Sequence, residues 1–205
     1  MRSTQMRSTK YLLSIGAAAA LLGLAAGCGG SSGAGPAAPA RPAAASPTPG
    51  RLIVPASLKP GQAVPAAPKP VLTLTGKISN HNKGGTLALD QRTLARLGVV
   101  QVRLYEPWAK KDLEFRGVWL QDLLAVAGAS PAATKVHMTA LDDYVVDLTM
   151  ADVRAGGIML AITDGDGAAL PIDKGGPTRI VFMDGVKAGA NADQWIWSLK
   201  TIAVQ

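Results

Sequence analysis

From Tyr11 to Ala26 the chain is apolar almost without interruption, and beyond Val71 it changes to short alternations of apolar and polar positions. The first run follows three cations, Arg2, Arg7 and Lys10, and ends in the small residues Ala25, Ala26 and Gly27 just before Cys28. A positive region, an apolar region and small residues at a cleavage site, in that order, form a secretory signal. The run falls short of the about 20 residues that a spanning helix needs, and Gly16 and Gly23 weaken it further as a helix.

The second part reads as strands with a few short helices. Residues 71–75 alternate large apolar and β-branched polar side chains, which predicts a half-buried strand. Asp90 is placed to cap a helix over 91–97, with Gly98 past its end. Residues 99–105 predict a strand that Pro107 breaks, and 113–118 lead into a helix over 120–127, stopped by Gly128 and Pro131. Strands over 135–141 and 144–148 flank Asp142-Asp143, and 150–154 form a helical turn. Strands over 158–163 and 169–172 flank Asp164-Gly165-Asp166-Gly167, a strong hairpin turn. Strands over 178–183 and 195–204 close the domain. The expected fold class is α+β, mostly β, in a single domain over 71–205.

Composition separates the two parts. Residues 29–70 carry ten of the fourteen prolines among Gly, Ser and Ala, too little apolar surface to offset the entropy of ordering them. Residues 28–70 therefore read as a disordered tether, with Leu52-Ile53-Val54 either solvated linker or a short docking strand. Residues 1–70 hold seven cations and no acid, whereas 71–205 hold fourteen of each, so the net charge of +7 belongs wholly to the signal and tether. A neutral domain behind an export signal gives no reason to expect a nucleic-acid partner. Cys28 is the one cysteine, which leaves the domain without a disulfide or a thiolate ligand.

The stretch Leu24-Ala25-Ala26-Gly27-Cys28 resembles the bacterial lipobox, with Ala25 where that pattern usually has Leu. The resemblance implies a lipoprotein signal over 1–27, removed after a diacylglyceryl group is placed on the Cys28 thiol. It also implies a membrane as partner through lipidated Cys28, and a place in the bacterial cell envelope facing the periplasm or the exterior. A transmembrane anchor or a soluble secreted protein is the alternative.

Few residues carry an obvious chemistry. Counting Asp164 as the first position of a calcium loop puts Gly175 at the twelfth, where a carboxylate is required. His81 lies in a loop, and His137 in a strand without a carboxylate nearby in sequence, so neither suggests zinc. Trp195 and Trp197 share one face of the last strand, as core or as an aromatic wall. Trp108 follows Pro107 in a loop with Lys110 and Lys111, and Arg116 lies further on; an aromatic beside cations can form a lip for an anionic or planar ligand. Asp143-Tyr144 is a further candidate. Gly175-Gly176-Pro177-Thr178-Arg179 sets a cation after a sharp turn, suited to gripping an anion or else a surface arginine at a strand entry.

Several of these residues lie in motifs similar to the sulfite-oxidase-type molybdopterin-binding domain. They are Phe115-Arg116-Gly117-Val118 with Leu120-Gln121-Asp122-Leu123-Leu124 and Gly128, then Leu141-Asp142-Asp143-Tyr144, Leu160-Ala161 and Leu170-Pro171. Gly176-Pro177-Thr178-Arg179-Ile180-Val181, and Trp197 with Leu199 and Ile202, complete the series from about Val71 to the end. The resemblance implies a mixed α+β fold rich in bent sheets. It also marks a departure: catalytic members hold molybdenum through a cysteine thiolate in the loop before Phe115, where this chain has Tyr105 to Asp112 and no Cys. Those members commonly offer a basic residue where this chain has Ile196, and short cysteine-free relatives with Pro-Trp and Asp-Tyr are nearer. The reading that follows is a non-catalytic, lipid-anchored domain binding an unknown small molecule or envelope protein, without a cofactor. Its candidate cleft is built from Trp108, Lys110, Arg116, Asp143, Tyr144 and Arg179. The alternatives are a molybdopterin-dependent oxidoreductase lacking the metal-binding cysteine, with molybdopterin as cofactor, and a structural or assembly lipoprotein.

Overall fold

The computed structural model describes residues 50–205; the expected signal, the lipidation site at Cys28 and the first part of the tether lie outside the described residues. Among the described residues ten strands and three short helices follow one another, beginning with β1 (Arg51–Val54), β2 (Leu72–Gly76), β3 (Leu87–Leu89), α1 (Gln91–Ala95), β4 (Val99–Glu106) and β5 (Lys111–Trp119). Then come α2 (Leu120–Val126), β6 (Lys135–Ala140), β7 (Val145–Thr149), α3 (Met150–Ala155), β8 (Ile158–Asp164), β9 (Arg179–Phe182) and β10 (Leu199–Val204). The strands form two five-stranded sheets, ordered β1-β4-β5-β8-β9 and β3-β2-β10-β6-β7. Every pairing is antiparallel except β2 with β10, which brings the start and the end of the domain together in parallel. The mostly β, mixed architecture is the one that the alternations predict.

Local chemistry explains most boundaries. The Asp90 carboxylate accepts a hydrogen bond from the Thr93 amide at 2.8 Å and starts α1. Along β6 the buried residues Val136, Met138 and Ala140 alternate with half-buried Lys135, His137 and Thr139. One continuous core joins both sheets, with Leu72, Leu74, Val136, Met138 and Ile202 from one and Leu104, Val118, Leu160 and Ile180 from the other.

Four expectations change. Residues 50–70, read as tether, lie on the domain. β1 pairs with β4 through Arg51 opposite Gln101 and Leu52 opposite Val100, and Leu58 and Val64 are buried. The docking-strand alternative for Leu52-Ile53-Val54 holds because an edge strand offers unpaired backbone groups to any extended segment beside it. Residues 169–172 are not a strand: Ala169 makes one bridge to Thr163, and a 3₁₀ turn occupies Ile172–Lys174. The last strand begins at Leu199 rather than at residue 195, because Ser198 takes a φ of 49° that no ladder accepts. Leu87–Leu89, buried at all three positions, pairs with β2; a run so short and without alternation gives no strand signal.

Candidate functional site

The site forms where the two sheets come together at one end. β4 ends at Glu106 and turns back through residues 107–110 into β5, while β9 opens on Arg179. Residues 195–198 cross from one sheet to the other. The Ile180 amide donates to the Ile196 carbonyl at 2.9 Å, the Ser198 amide to Gly175 at 2.8 Å, and the Leu141 amide to Ser198 at 2.9 Å. This crossing segment carries Trp197 to Arg179.

At the centre is a buried ion pair. Arg179 Nη2 donates to Glu106 Oε1 at 2.6 Å, and the two residues are 2% and 1% exposed. The guanidinium carbon lies 4.3 Å from the ring centroid of Trp197 and 5.3 Å from that of Phe115, within cation–π range of both. Arg179 Nη1 donates to the Lys174 carbonyl at 3.3 Å, and the second Glu106 oxygen accepts from the Ala109 amide at 2.5 Å. That last bond ties the pair to the turn that carries Trp108. Burial pushes the Arg179 guanidinium below its ordinary pKa, and the Glu106 carboxylate opposes the shift. Arg179 Nε and Trp197 Nε1 are buried without a hydrogen-bond partner. The tight packing needs glycine: at Gly175, with φ 84°, a Cβ would stand 2.9 Å from Trp197, and at Gly176 it would stand 1.7 Å from the Leu170 carbonyl oxygen.

Two hollows open beside this pair, and Trp108 and Trp197 line both. The larger, about 460 Å³, lies over Glu106 and Arg179, with an apolar wall of Leu113, Phe115, Leu170 and Pro171. Its carboxylates are Glu106, Glu114, Asp164 and Asp173, and its cations Lys111, Lys174 and Arg179, so carboxylates outnumber cations by one. The smaller, about 400 Å³, lies between Trp108, Tyr144, Trp195 and Trp197, with Asp142 and Asp193 at its edge.

The sequence-predicted residues divide between these places. Trp108 is 55% exposed at the junction of the hollows and Arg179 is at the core of the larger one. Tyr144 lines the smaller. Asp143, with a φ of 65°, turns to Lys200 at 3.3 Å. Lys110 is exposed at the tip of the turn and lines neither hollow. Arg116 is one strand position from Phe115 and so points to the opposite face, where its Nε donates to Gln101 at 3.0 Å. Arg179 is neither a surface residue nor an open anion grip: its anion is Glu106. Sequence reasoning missed Glu106, which stood in the loop motif but gave no sign of a partner 73 positions away. His137, with no carboxylate near it in sequence, has one across the ladder: its Nδ1 is 2.7 Å from Asp147 Oδ1. Trp195 and Trp197 do not share a strand face; Trp195 packs on Phe182 with ring centroids 5.5 Å apart.

A family model described as the oxidoreductase molybdopterin binding domain matches residues 92–204. The chain belongs to that family. Among solved structures, the sulfane dehydrogenase SoxCD from Paracoccus pantotrophus is similar to it, with a TM-score of 0.52 and 20% sequence identity over 65% of this chain. The chain spans only 37% of the length of that protein, and the likeness is one of fold. No curated protein matches the sequence. The family match begins within α1, yet β2 and β3, which precede it, are part of the second sheet.

The residues at the cleft do not fit a molybdopterin centre held by a protein thiolate. No sulfur donor lies among them, and among the described residues no three His, Cys, Asp or Glu side chains are grouped to hold a metal ion. The buried cation, which would face an anionic cofactor, is already neutralised by Glu106.

Proposed function

We propose that this chain is a lipid-anchored extracytoplasmic protein whose molybdopterin-binding-type domain serves as a ligand- or partner-binding module and not as a redox catalyst. The Glu106–Arg179 ion pair carries the reading. A site whose buried cation is committed to an internal carboxylate keeps an aromatic-lined cleft but holds back the charge that a phosphate-bearing cofactor would require. Fold and function part company readily when the reacting groups are replaced on a retained scaffold. The order of cations, apolar run and small residues before Cys28 supports the anchor.

One preparation tests both halves. The full chain is produced in a bacterial host competent in molybdenum-cofactor synthesis, its membrane and soluble fractions are separated, and molybdenum is measured in the purified protein. The expected result is membrane-bound protein with molybdenum far below stoichiometric, and release to the soluble fraction with Cys28→Ser. Stoichiometric molybdenum would instead establish the oxidoreductase, and a Cys28→Ser variant that stays on the membrane would remove the lipid anchor.

A further inference from the structure

The smaller hollow has a chemistry of its own. It is lined by Trp108, Tyr144, Trp195 and Trp197, and among the described residues its only formally charged lining groups are the carboxylates Asp142 and Asp193. Among the described residues no Lys or Arg lines it. The adjacent Asp143 is paired with Lys200 at 3.3 Å, so that pair adds no net charge to the rim. Aromatic faces attract cations through the ring quadrupole, and a carboxylate rim adds attraction of the same sign while repelling anions.

Two of the four rings are tied to the backbone by hydrogen bonds. The Tyr144 hydroxyl donates to the Asp193 carbonyl at 2.9 Å, and the Tyr144 amide to Asp142 Oδ1 at 3.1 Å. Trp195 Nε1 donates to the Gly189 carbonyl at 2.9 Å. Trp197 has a guanidinium against its ring already, and Trp108 and Tyr144 stand 55% and 46% exposed. Large exposed aromatic surface beside a preformed cavity marks a place where a ligand completes the packing. A compact ammonium ion would remain hydrated; one clothed in methyl groups sheds water easily and fills apolar space. We infer that this hollow binds an alkylated ammonium group, as on a quaternary amine solute or a choline lipid headgroup. The inference deepens the ligand-binding reading above and rests on it.

Choline chloride is the probe, titrated against the full chain by intrinsic tryptophan fluorescence and calorimetry. Its uncharged tert-butyl isostere, dimethylbutanol, and inorganic phosphate are titrated in parallel. Choline is expected to bind saturably and about tenfold more tightly than the isostere, with no binding of phosphate. Trp108→Ala should weaken choline about tenfold, and Trp108→Phe should restore most of the loss. Trp108 is exposed, so its removal leaves the core intact, and an unchanged melting temperature checks this. Asp142→Asn with Asp193→Asn keeps the acceptor for the Tyr144 amide but removes both charges, and should weaken choline severalfold.

Phosphatidylcholine vesicles form the other arm. Capture by vesicles that free choline competes away identifies the headgroup as the source, whereas choline binding without vesicle capture identifies a solute. Equal affinity for choline and the isostere, or an affinity indifferent to Trp108→Ala, overturns the inference. Phosphate binding lost in Trp108→Ala would overturn the ammonium class while leaving the ligand-binding module in place. Stoichiometric molybdenum is a separate outcome, and it removes the module itself.

Discussion

Arg179 and Glu106 set the character of the cleft one residue at a time. Two charges 1–3% exposed at the side chain are stable together because each neutralises the other and the guanidinium also lies within cation–π range of two rings. Removing one partner strands the other without solvent. Glu106→Gln is therefore expected to lower unfolding free energy by about 3 kcal/mol, read from urea denaturation, because a buried guanidinium loses its counter-charge. The double variant Glu106→Leu with Arg179→Met should recover most of that loss, since no charge is left to strand. A Glu106→Gln protein as stable as the parent would show that water reaches the pair and that the cleft is open to its base.

At the scale of elements, the β6–β7 ladder gathers a small charge network that serves stability and not the site. Asp147 on β7 lies across from His137 and reaches Lys135 Nζ at 3.0 Å. Those two hydrogen bonds, that of Lys135 first, hold the Asp147 carboxyl below the usual carboxylate range. A carboxyl whose pKa is depressed by folding adds stability that is complete above the unfolded value of about 4 and lost as pH falls through the lower native value. Asp147→Asn should accordingly destabilise modestly at neutral pH, while the difference from the parent vanishes in acid. Melting temperatures across a pH series measure it; a difference that persists at low pH would mean that packing, not charge, carries the effect.

For the molecule as a whole, residues 50–70 change what counts as the domain. β1 covers the free edge of β4, and Leu58 and Val64 are buried against the body. An uncovered edge of unpaired backbone groups invites pairing with other chains. Leu58→Ala is expected to cost about 2–4 kcal/mol, the usual range for emptying a buried leucine site. If the variant melts with the parent, the segment is a loosely held extension and the domain begins near Val71 after all.

Elements were legible in the sequence where one neighbour decides the conformation. Asp90 caps its own helix, Gly128 ends another, alternation orients β2, β4 and β6, and Asp164-Gly165-Asp166-Gly167 makes the turn expected of it, its Gly167 amide reaching the Asp164 carbonyl at 3.1 Å, though no second strand follows. The absence of a thiolate from the domain was equally plain, since a missing residue type needs no geometry to be recognised. Long-range partners were not legible. That Arg179 meets Glu106, that Arg116 faces away from the cleft beside Phe115, and that a proline-rich stretch lies on an edge strand each depend on residues far apart in the chain. Composition and periodicity act through nearest neighbours, so they determined the strands and the chemistry on offer. Which cation lies spent inside the cleft and which aromatic rings stand open beside it were decided only when the two sheets closed on each other, because burial and pairing belong to the assembled fold.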